Sequence, residues 1–323
     1  MSESQVSLSI VVPVFNEEES LPELFDWIIR VVEEANISTE VFFIDDGSTD
    51  TSWEVIQSLK QKDARAKGIK FNRNYGKSAA LQTGFKATNG DVVITMDADL
   101  QDSPDEIPGL VKMIREDGYQ LVSGWKKKRH DPIGKTLPSK FFNMITRKVS
   151  GIQLNDFNCG LKAYKSDVVK NIQVYGEMHR YIPLIAKWNG FTKIGEKVVQ
   201  HRERKYGTTK FGLERFVHGF LDLISVTFVS RFKKNPMHFF GTLGTLSFLF
   251  GFITTGMVIF EKIYNLYHHL PARDVVDQPL FFLALIAVVI GVQLFLAGFI
   301  AEMIIQVNPR KNEYLISENT EDA

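Results

Sequence analysis

The chain has 323 residues, enough for one large domain or for a domain with an appendage. Its 38 basic residues balance 38 acidic ones, so no global field points to nucleic acid as a partner. The one cysteine, Cys159, excludes an intramolecular disulfide and fits a reducing compartment, and Met1 to Leu8 lacks the basic and apolar regions of a secretory leader, which predicts a cytosolic N-terminus.

Leu8-Ser9-Ile10-Val11-Val12-Pro13-Val14 reads as a buried strand, and Phe15-Asn16-Glu17-Glu18-Glu19-Ser20 turns into a helix with acids in its first turn. Val41-Phe42-Phe43-Ile44 is a second strand ending in Asp45-Asp46-Gly47-Ser48-Thr49-Asp50, with a helix over 51–62 behind it. A third strand over 68–71 leads through Asn72-Arg73-Asn74-Tyr75-Gly76-Lys77 into a helix over 78–87. Val92-Val93-Ile94-Thr95-Met96 then delivers Asp97-Ala98-Asp99-Leu100-Gln101-Asp102, and on an ideal strand Asp97 and Asp99 share a face. A helix from Ser103-Pro104 reaches Ile114, and Leu121 to Gly124 is a further strand. Alternating strands and helices predict an α/β domain with a mainly parallel sheet. Each strand delivers a polar cluster to one edge, where ligands of such sheets bind.

Paired carboxylates suit a hard cation, Mg²⁺ or Mn²⁺, shared with substrate phosphates, although the plainer reading is acids that cap a strand and open a turn. No Gly-x-Gly-x-x-Gly and no Gly-x-x-x-x-Gly-Lys-Ser/Thr occurs, which argues against a dinucleotide oxidoreductase and a P-loop ATPase. Trp125-Lys126-Lys127-Lys128-Arg129-His130, with Lys135, Ser139 and Lys140 after it, is either a solvated loop or a cationic site for an anionic acceptor or lipid headgroups. A second basic cluster spans His201-Arg202-Glu203-Arg204-Lys205-Tyr206-Gly207-Thr208-Thr209-Lys210.

Beyond it, apolar residues recur at helical spacing over 213–232, which suits an interfacial helix. Phe239 to Phe260 and Leu280 to Ala301 are uncharged and 22 residues each, about 33 Å as helices, enough for a hydrocarbon core of roughly 30 Å. Arg231, Lys233, Lys234, Arg310 and Lys311 flank the pair, against Lys262 and Arg273 in the connection, so both ends are expected in the cytosol.

Val12-Pro13-Val14-Phe15-Asn16-Glu17, Asp45-Asp46-Gly47-Ser48 and Asp97-Ala98-Asp99-Leu100-Gln101-Asp102 together resemble the nucleotide-sugar motifs of inverting family 2 glycosyltransferases. The resemblance implies a GT-A fold. It also implies a nucleotide-sugar site of Pro13, Phe15, Asn16, Glu17, Asp45, Asp46, Gly76, Lys77 and Asp97, in which an acid of the second motif hydrogen-bonds the base. Asp97, Asp99 and Gln101 would hold Mg²⁺ or Mn²⁺ against the diphosphate. Lys135-x-x-x-Ser139 resembles the acceptor-phosphate site of dolichyl-phosphate mannose synthases, with lysine where that family has arginine. Arg204, Gly207, Thr209 and Lys210 match an Arg-x-x-Gly-x-Ser/Thr-Lys segment that closes over the acceptor in polyprenyl-phosphate transferases. With Lys126 and Arg202 these make the expected acceptor-phosphate set.

Asn155-Asp156-Phe157-Asn158-Cys159-Gly160-Leu161-Lys162-Ala163-Tyr164 resembles the acceptor-side motif whose aspartate is treated as catalytic base, so Asp156 and Asp99 are the expected catalytic residues. A phosphate monoester is largely dianionic above its second pKa of ~6, so Asp156 is either a base or a group that positions cations or the sugar.

A catalytic domain before two spans resembles bacterial polyprenyl-phosphate glucosyl- and aminoarabinosyltransferases, apart from the tail Ser317 to Ala323. The expected organisation is a catalytic domain over 1–212, a juxtamembrane amphipathic helix over 213–235, a transmembrane hairpin over 236–308 and a cytoplasmic tail over 309–323. The expected activity is inverting transfer of a hexose from a UDP- or GDP-linked donor to undecaprenyl or dolichyl phosphate at the cytoplasmic leaflet. The resemblance also makes a homo-oligomer through the spans an expectation. One rival is a processive polysaccharide synthase, whose Gln-x-x-Arg-Trp is absent. The other is a non-catalytic membrane-anchored binding protein.

Overall fold

The computed structural model describes residues 6–127, 143–148, 150–202, 205 and 235–306. The expected acceptor residues Lys135, Ser139, Arg204, Thr209 and Lys210, the helix expected over 213–235 (apart from Asn235) and the tail over 309–323 lie outside the described residues. The chain divides into two compact units, Met1–Thr227 and Phe228–Ala323.

The first unit is built on seven strands: β1 (Leu8–Val14), β2 (Thr39–Asp45), β3 (Ala66–Lys70), β4 (Val92–Thr95), β5 (Leu121–Trp125), β6 (Lys162–Lys165) and β7 (Ile194–Val198). They form one sheet in the order β3-β2-β1-β4-β6-β5-β7, parallel except for β6, which runs against both neighbours. Residues of β1 alternate between the two faces: Leu8, Ile10, Val12 and Val14 join one apolar core and Val11 the other. Helices α1 (Leu21–Glu34), α2 (Ser52–Lys62) and α4 (Ile107–Arg115) cover the first face. Helices α3 (Lys77–Ala87), α5 (Ser166–Asn171) and α6 (Ile182–Trp188) cover the second. Pro13 lies past Val11, the last residue of β1 paired with β4, which is how a central strand tolerates it.

One expectation is corrected. β4 ends at Thr95, so Asp97 and Asp99 do not share the face of a strand. Met96 still donates to the Val11 carbonyl at 3.1 Å, and the chain then turns over 98–99, with Leu100 in the left-handed region at φ 60. Strands β6 and β7 also escape the sequence pattern. In β6, Lys162 and Lys165 bracket Ala163-Tyr164, and β7 is an edge strand whose Glu196 and Lys197 interrupt any apolar run.

In the second unit, α7 (Pro236–Tyr267) and α8 (Pro279–Gln306) pack antiparallel, and both are long and apolar enough to cross a membrane. Gly244 meets the backbone of Gly291 and Phe295, and Gly251 meets Ala284 and Val288. Small residues allow this approach where dispersion replaces the hydrophobic drive. Ser247 Oγ donates to the Ala287 carbonyl across the pair at 2.8 Å.

Close approach also fixes α3 on the first unit's sheet, where a Cβ at Gly84 would collide with Val11 Cγ1. In a free helix Gly→Ala gains about 1 kcal/mol, whereas overpacking a core costs about 1–3 kcal/mol. Val11 is fully buried and β-branched, so it has nowhere to go. Gly84→Ala is therefore expected to lower the thermal unfolding midpoint of the detergent-solubilised protein; an unchanged or raised midpoint would mean that α3 can lift off β1.

Candidate active site

Strand order reverses around β1: the chain steps outward through β2 and β3, then returns to place β4 on the other side. Such a reversal opens a crevice at the carboxyl ends of the strands. The loops after β1, β2 and β4 carry the three motifs to this place, and hydrogen bonds lace them together. Asn16, at φ 57, donates its N–H to Ser48 Oγ at 3.0 Å and accepts the Thr49 N–H on Oδ1 at 2.8 Å. Glu17 donates its N–H to Ser52 Oγ at 2.9 Å. Asp46 accepts the N–H groups of Tyr75 and Gly76 at 2.7 and 2.9 Å, and burial raises its pKa despite these donors. Gly47, at φ 72, runs against the Arg73 backbone, which leaves no room for a side chain. Phe15 and Tyr75 remain exposed beside these loops, with the Arg73 guanidinium 4.7 Å from the Tyr75 ring centre.

Asp45 is fully buried at the end of β2. Its Oδ1 accepts the Ser48 N–H at 2.9 Å, and Oδ2 has no hydrogen-bond partner among the described residues; the Lys70 ammonium is 3.9 Å away. A buried carboxylate oxygen without a hydrogen-bond donor is a costly arrangement.

Asp97 forms an ion pair with Lys77. Burial would raise its pKa, but Lys77, Lys126 and Lys162 outweigh burial and hold the carboxylate well below its usual range. Lys126 reaches the fully buried Asp102 at 2.7 Å; burial opposes its charge, and Asp102 more than restores it. Its ammonium is thus committed inward, between Asp102 and Asp97. Lys162, nearly fully buried, donates to the Cys159 carbonyl, and burial lowers its pKa. The Gly160 backbone lies so close to Asp97 that a Cβ would strike the carboxylate. Asp99 is half-buried and accepts the Gln101 N–H on Oδ1 at 3.2 Å.

Asp156 is buried, and its Oδ1 accepts the Asn158 N–H at 3.0 Å. Its backbone is held from two strands: Glu196 accepts its N–H at 3.0 Å and Ser123 Oγ donates to its carbonyl at 3.2 Å. His179 sits on a 3-10 turn, Met178–Tyr181, facing Lys77 and Asp97, with Nδ1 3.1 Å from Ser78 Oγ. Burial, then Lys77 and Arg180, depress its pKa and keep the ring neutral. Arg202 lies elsewhere: its guanidinium is 4.1 Å from the centre of the Trp27 ring on α1 and 4.0 Å from Asp105.

Of the expected residues, those from Pro13 to Gln101 gather around the crevice. The structure adds Lys162, which lies within the acceptor-side motif but without an expected role there, and His179 and Glu196, each a lone polar residue outside any motif and so without a signal in the sequence.

A family model described as Glycosyl transferase family 2 matches residues 9–173. The dodecaprenyl-phosphate galacturonate synthase of Rhizobium johnstonii is 32% identical over 302 residues, 93% of this chain and 88% of that protein. The undecaprenyl-phosphate 4-deoxy-4-formamido-L-arabinose transferase of Shewanella sediminis is 32% identical over 98% of this chain and 95% of that protein. Among solved structures, glucosyl-3-phosphoglycerate synthase from Mycobacterium tuberculosis with uridine diphosphate has a TM-score of 0.54 at 21% identity, covering 69% of this chain and 79% of that one. The same protein with Mn²⁺, UDP-glucose and glycerol 3-phosphate has a TM-score of 0.52 at 22% identity, covering 70% of this chain and 79% of that one.

Cys159 lies in the middle of this cluster, and burial, then Asp102, push its thiol up to about 12. A thiol reagent at about pH 8, where thiolate is the reactive form, is expected to leave the folded protein unmodified and to label one site after denaturation. Rapid labelling of the native protein would mean that the Asp156 loop opens readily.

Proposed function

The chain belongs to glycosyl transferase family 2 and its first unit has the GT-A fold, and we propose that it moves a sugar from a nucleoside diphosphate onto a polyprenyl phosphate, with inversion. The observation that carries this reading is that likeness to two polyprenyl-phosphate transferases runs through 93 and 98% of the chain, well past the end of the family match at residue 173. A crevice for a soluble donor and a pair of helices suited to a bilayer then belong to one enzyme.

In this reading Asp45 Oδ2 accepts an N–H of the base, and the laced loops with Phe15, Asn16 and Glu17 hold base and ribose. Asp97 and Asp99 present hard carboxylate oxygens, with Gln101 beside them, and that donor set fits Mg²⁺ or Mn²⁺ completed by the diphosphate. Once bound, the cation supplies charge stabilisation to the departing diphosphate. Lys77, now on Asp97, is within the same cluster to meet a phosphate oxygen. The acceptor phosphate is a dianion above ~6 and a competent nucleophile at neutral pH. Asp156 therefore orients acceptor and sugar, and Lys135, Ser139, Arg204, Thr209 and Lys210 supply the field that draws a lipid phosphate to it. Lys126, held by Asp102, and Arg202, held by Trp27 and Asp105, leave the expected acceptor set. The helices α7 and α8 anchor the enzyme as a hairpin with both ends on the cytoplasmic side, following the basic residues that flank it.

Purified full-length protein in detergent, given undecaprenyl phosphate and a panel of radiolabelled nucleotide-sugars, is expected to yield one labelled lipid. EDTA and Asp99→Asn should each reduce it about 100-fold or more, the scale of losing one charge-stabilising group. Absence of labelled lipid from every donor, with dolichyl phosphate also tried, would sink the lipid acceptor. Transfer unaffected by EDTA would sink the metal.

A further inference from the structure

Four polar residues stand side by side across the sheet. Thr95 of β4 pairs in register with Lys162 of β6, Lys162 with Ser123 of β5, and Ser123 with Glu196 of β7. Residues in register on neighbouring strands point to the same face. Thr95, Lys162 and Ser123 are buried, and Glu196 at the edge is half-buried. A four-residue polar row inside an α/β sheet is costly unless each member is bonded.

Each one is, and all to the same segment. Thr95 Oγ1 donates to the Gly160 carbonyl at 2.8 Å, and Lys162 Nζ donates to the Cys159 carbonyl. Ser123 Oγ donates to the Asp156 carbonyl at 3.2 Å. Glu196 Oε1 accepts the N–H groups of Asn155 and Asp156 at 2.7 and 3.0 Å, and Oε2 accepts the Asn155 side-chain amide at 2.7 Å. The loop 155–160 therefore crosses four strands with its backbone held by one side chain from each. One end presses Gly160 against Asp97 and the other fixes Asp156.

We propose that the row Thr95-Lys162-Ser123-Glu196 is a positioning device that sets Asp156 relative to Asp97, with Glu196 governing the Asp156 end and Thr95 the Asp97 end. The proposal rests on the reading of Asp156 as a group that acts on acceptor and sugar. None of the four touches substrate; they act through the loop. The strand β7 also ties down the other carboxylate loop: beyond Val198, His201 bridges to Asp102 and the Arg202 N–H donates to the Gln101 carbonyl at 2.9 Å. A single strand thus holds both carboxylate-bearing loops in place.

The test is a double-mutant cycle on the full-length enzyme, with kcat, donor KM and nucleotide affinity measured for each variant. Displacement of a reacting group by about 1 Å costs about 100-fold in rate. Glu196→Ala is expected to lower kcat about 100-fold while donor KM and nucleotide affinity stay within about 2-fold of the parent. Glu196→Gln keeps one oxygen for the two backbone N–H groups and should recover at least a tenth of the parent kcat. Combined with Asp156→Asn, Glu196→Ala should cost little more than Asp156→Asn alone, since both act on one element. Thr95→Val, of nearly the same shape, should instead raise donor KM with kcat less affected. Multiplying effects of Glu196→Ala and Asp156→Asn would overturn the proposal, as would equal losses in kcat and nucleotide affinity. Near-parent activity of Asp156→Asn alone would overturn the reading beneath it instead.

Discussion

Asp97 is a partly exposed carboxylate just past the end of β4, and the ion pairs gathered around it tie several elements together. Three lysines from three different elements converge on it and favour its charged form. Lys77 comes from the start of α3, Lys126 from just past β5, and Lys162 from β6. Lys126 in turn needs Asp102, and Lys162 needs the Cys159 carbonyl. These pairs therefore join the ends of three elements at the outer end of β4. The same interactions leave a site rich in both signs at close range, suited to a substrate whose own charge is redistributed during transfer.

The outline of the first unit was open to reading because β1, β2 and β4 are buried on both faces and declare themselves as apolar runs. The helices α1 and α4 announce their starts with Pro22 and Pro108 and a regular apolar stripe. What stayed hidden was whatever depends on a partner far along the chain. β6 is a strand because Val92–Thr95 and Leu121–Ser123 flank it, and nothing in Lys-Ala-Tyr-Lys says so. The misplaced face of Asp97 and Asp99 has the same origin: β4 stops where its neighbours stop pairing with it.

At the site, the sequence exposed which loops matter and concealed how they are bonded. Asp45 and Asp46 read alike as strand-end acids, yet one keeps an oxygen without a donor and the other spends both on the backbone of residues 75–76. Glu196 illustrates the limit most clearly. It is one acid in a short, half-exposed strand, and its importance lies in three N–H groups some forty residues earlier.

The length of α7 has a mechanical meaning. At 1.5 Å per residue its 32 residues span about 48 Å, against a hydrocarbon core of roughly 30 Å. The excess falls at the end that carries Glu261, Lys262, Tyr264 and Tyr267, where Lys262 is tied to Asp274 of the connection at 2.7 Å. Charged groups resist being drawn into hydrocarbon, and tyrosines favour the headgroup level. In a bilayer, a helix pair finished this way acts as a stopper: it sinks to one depth and no further.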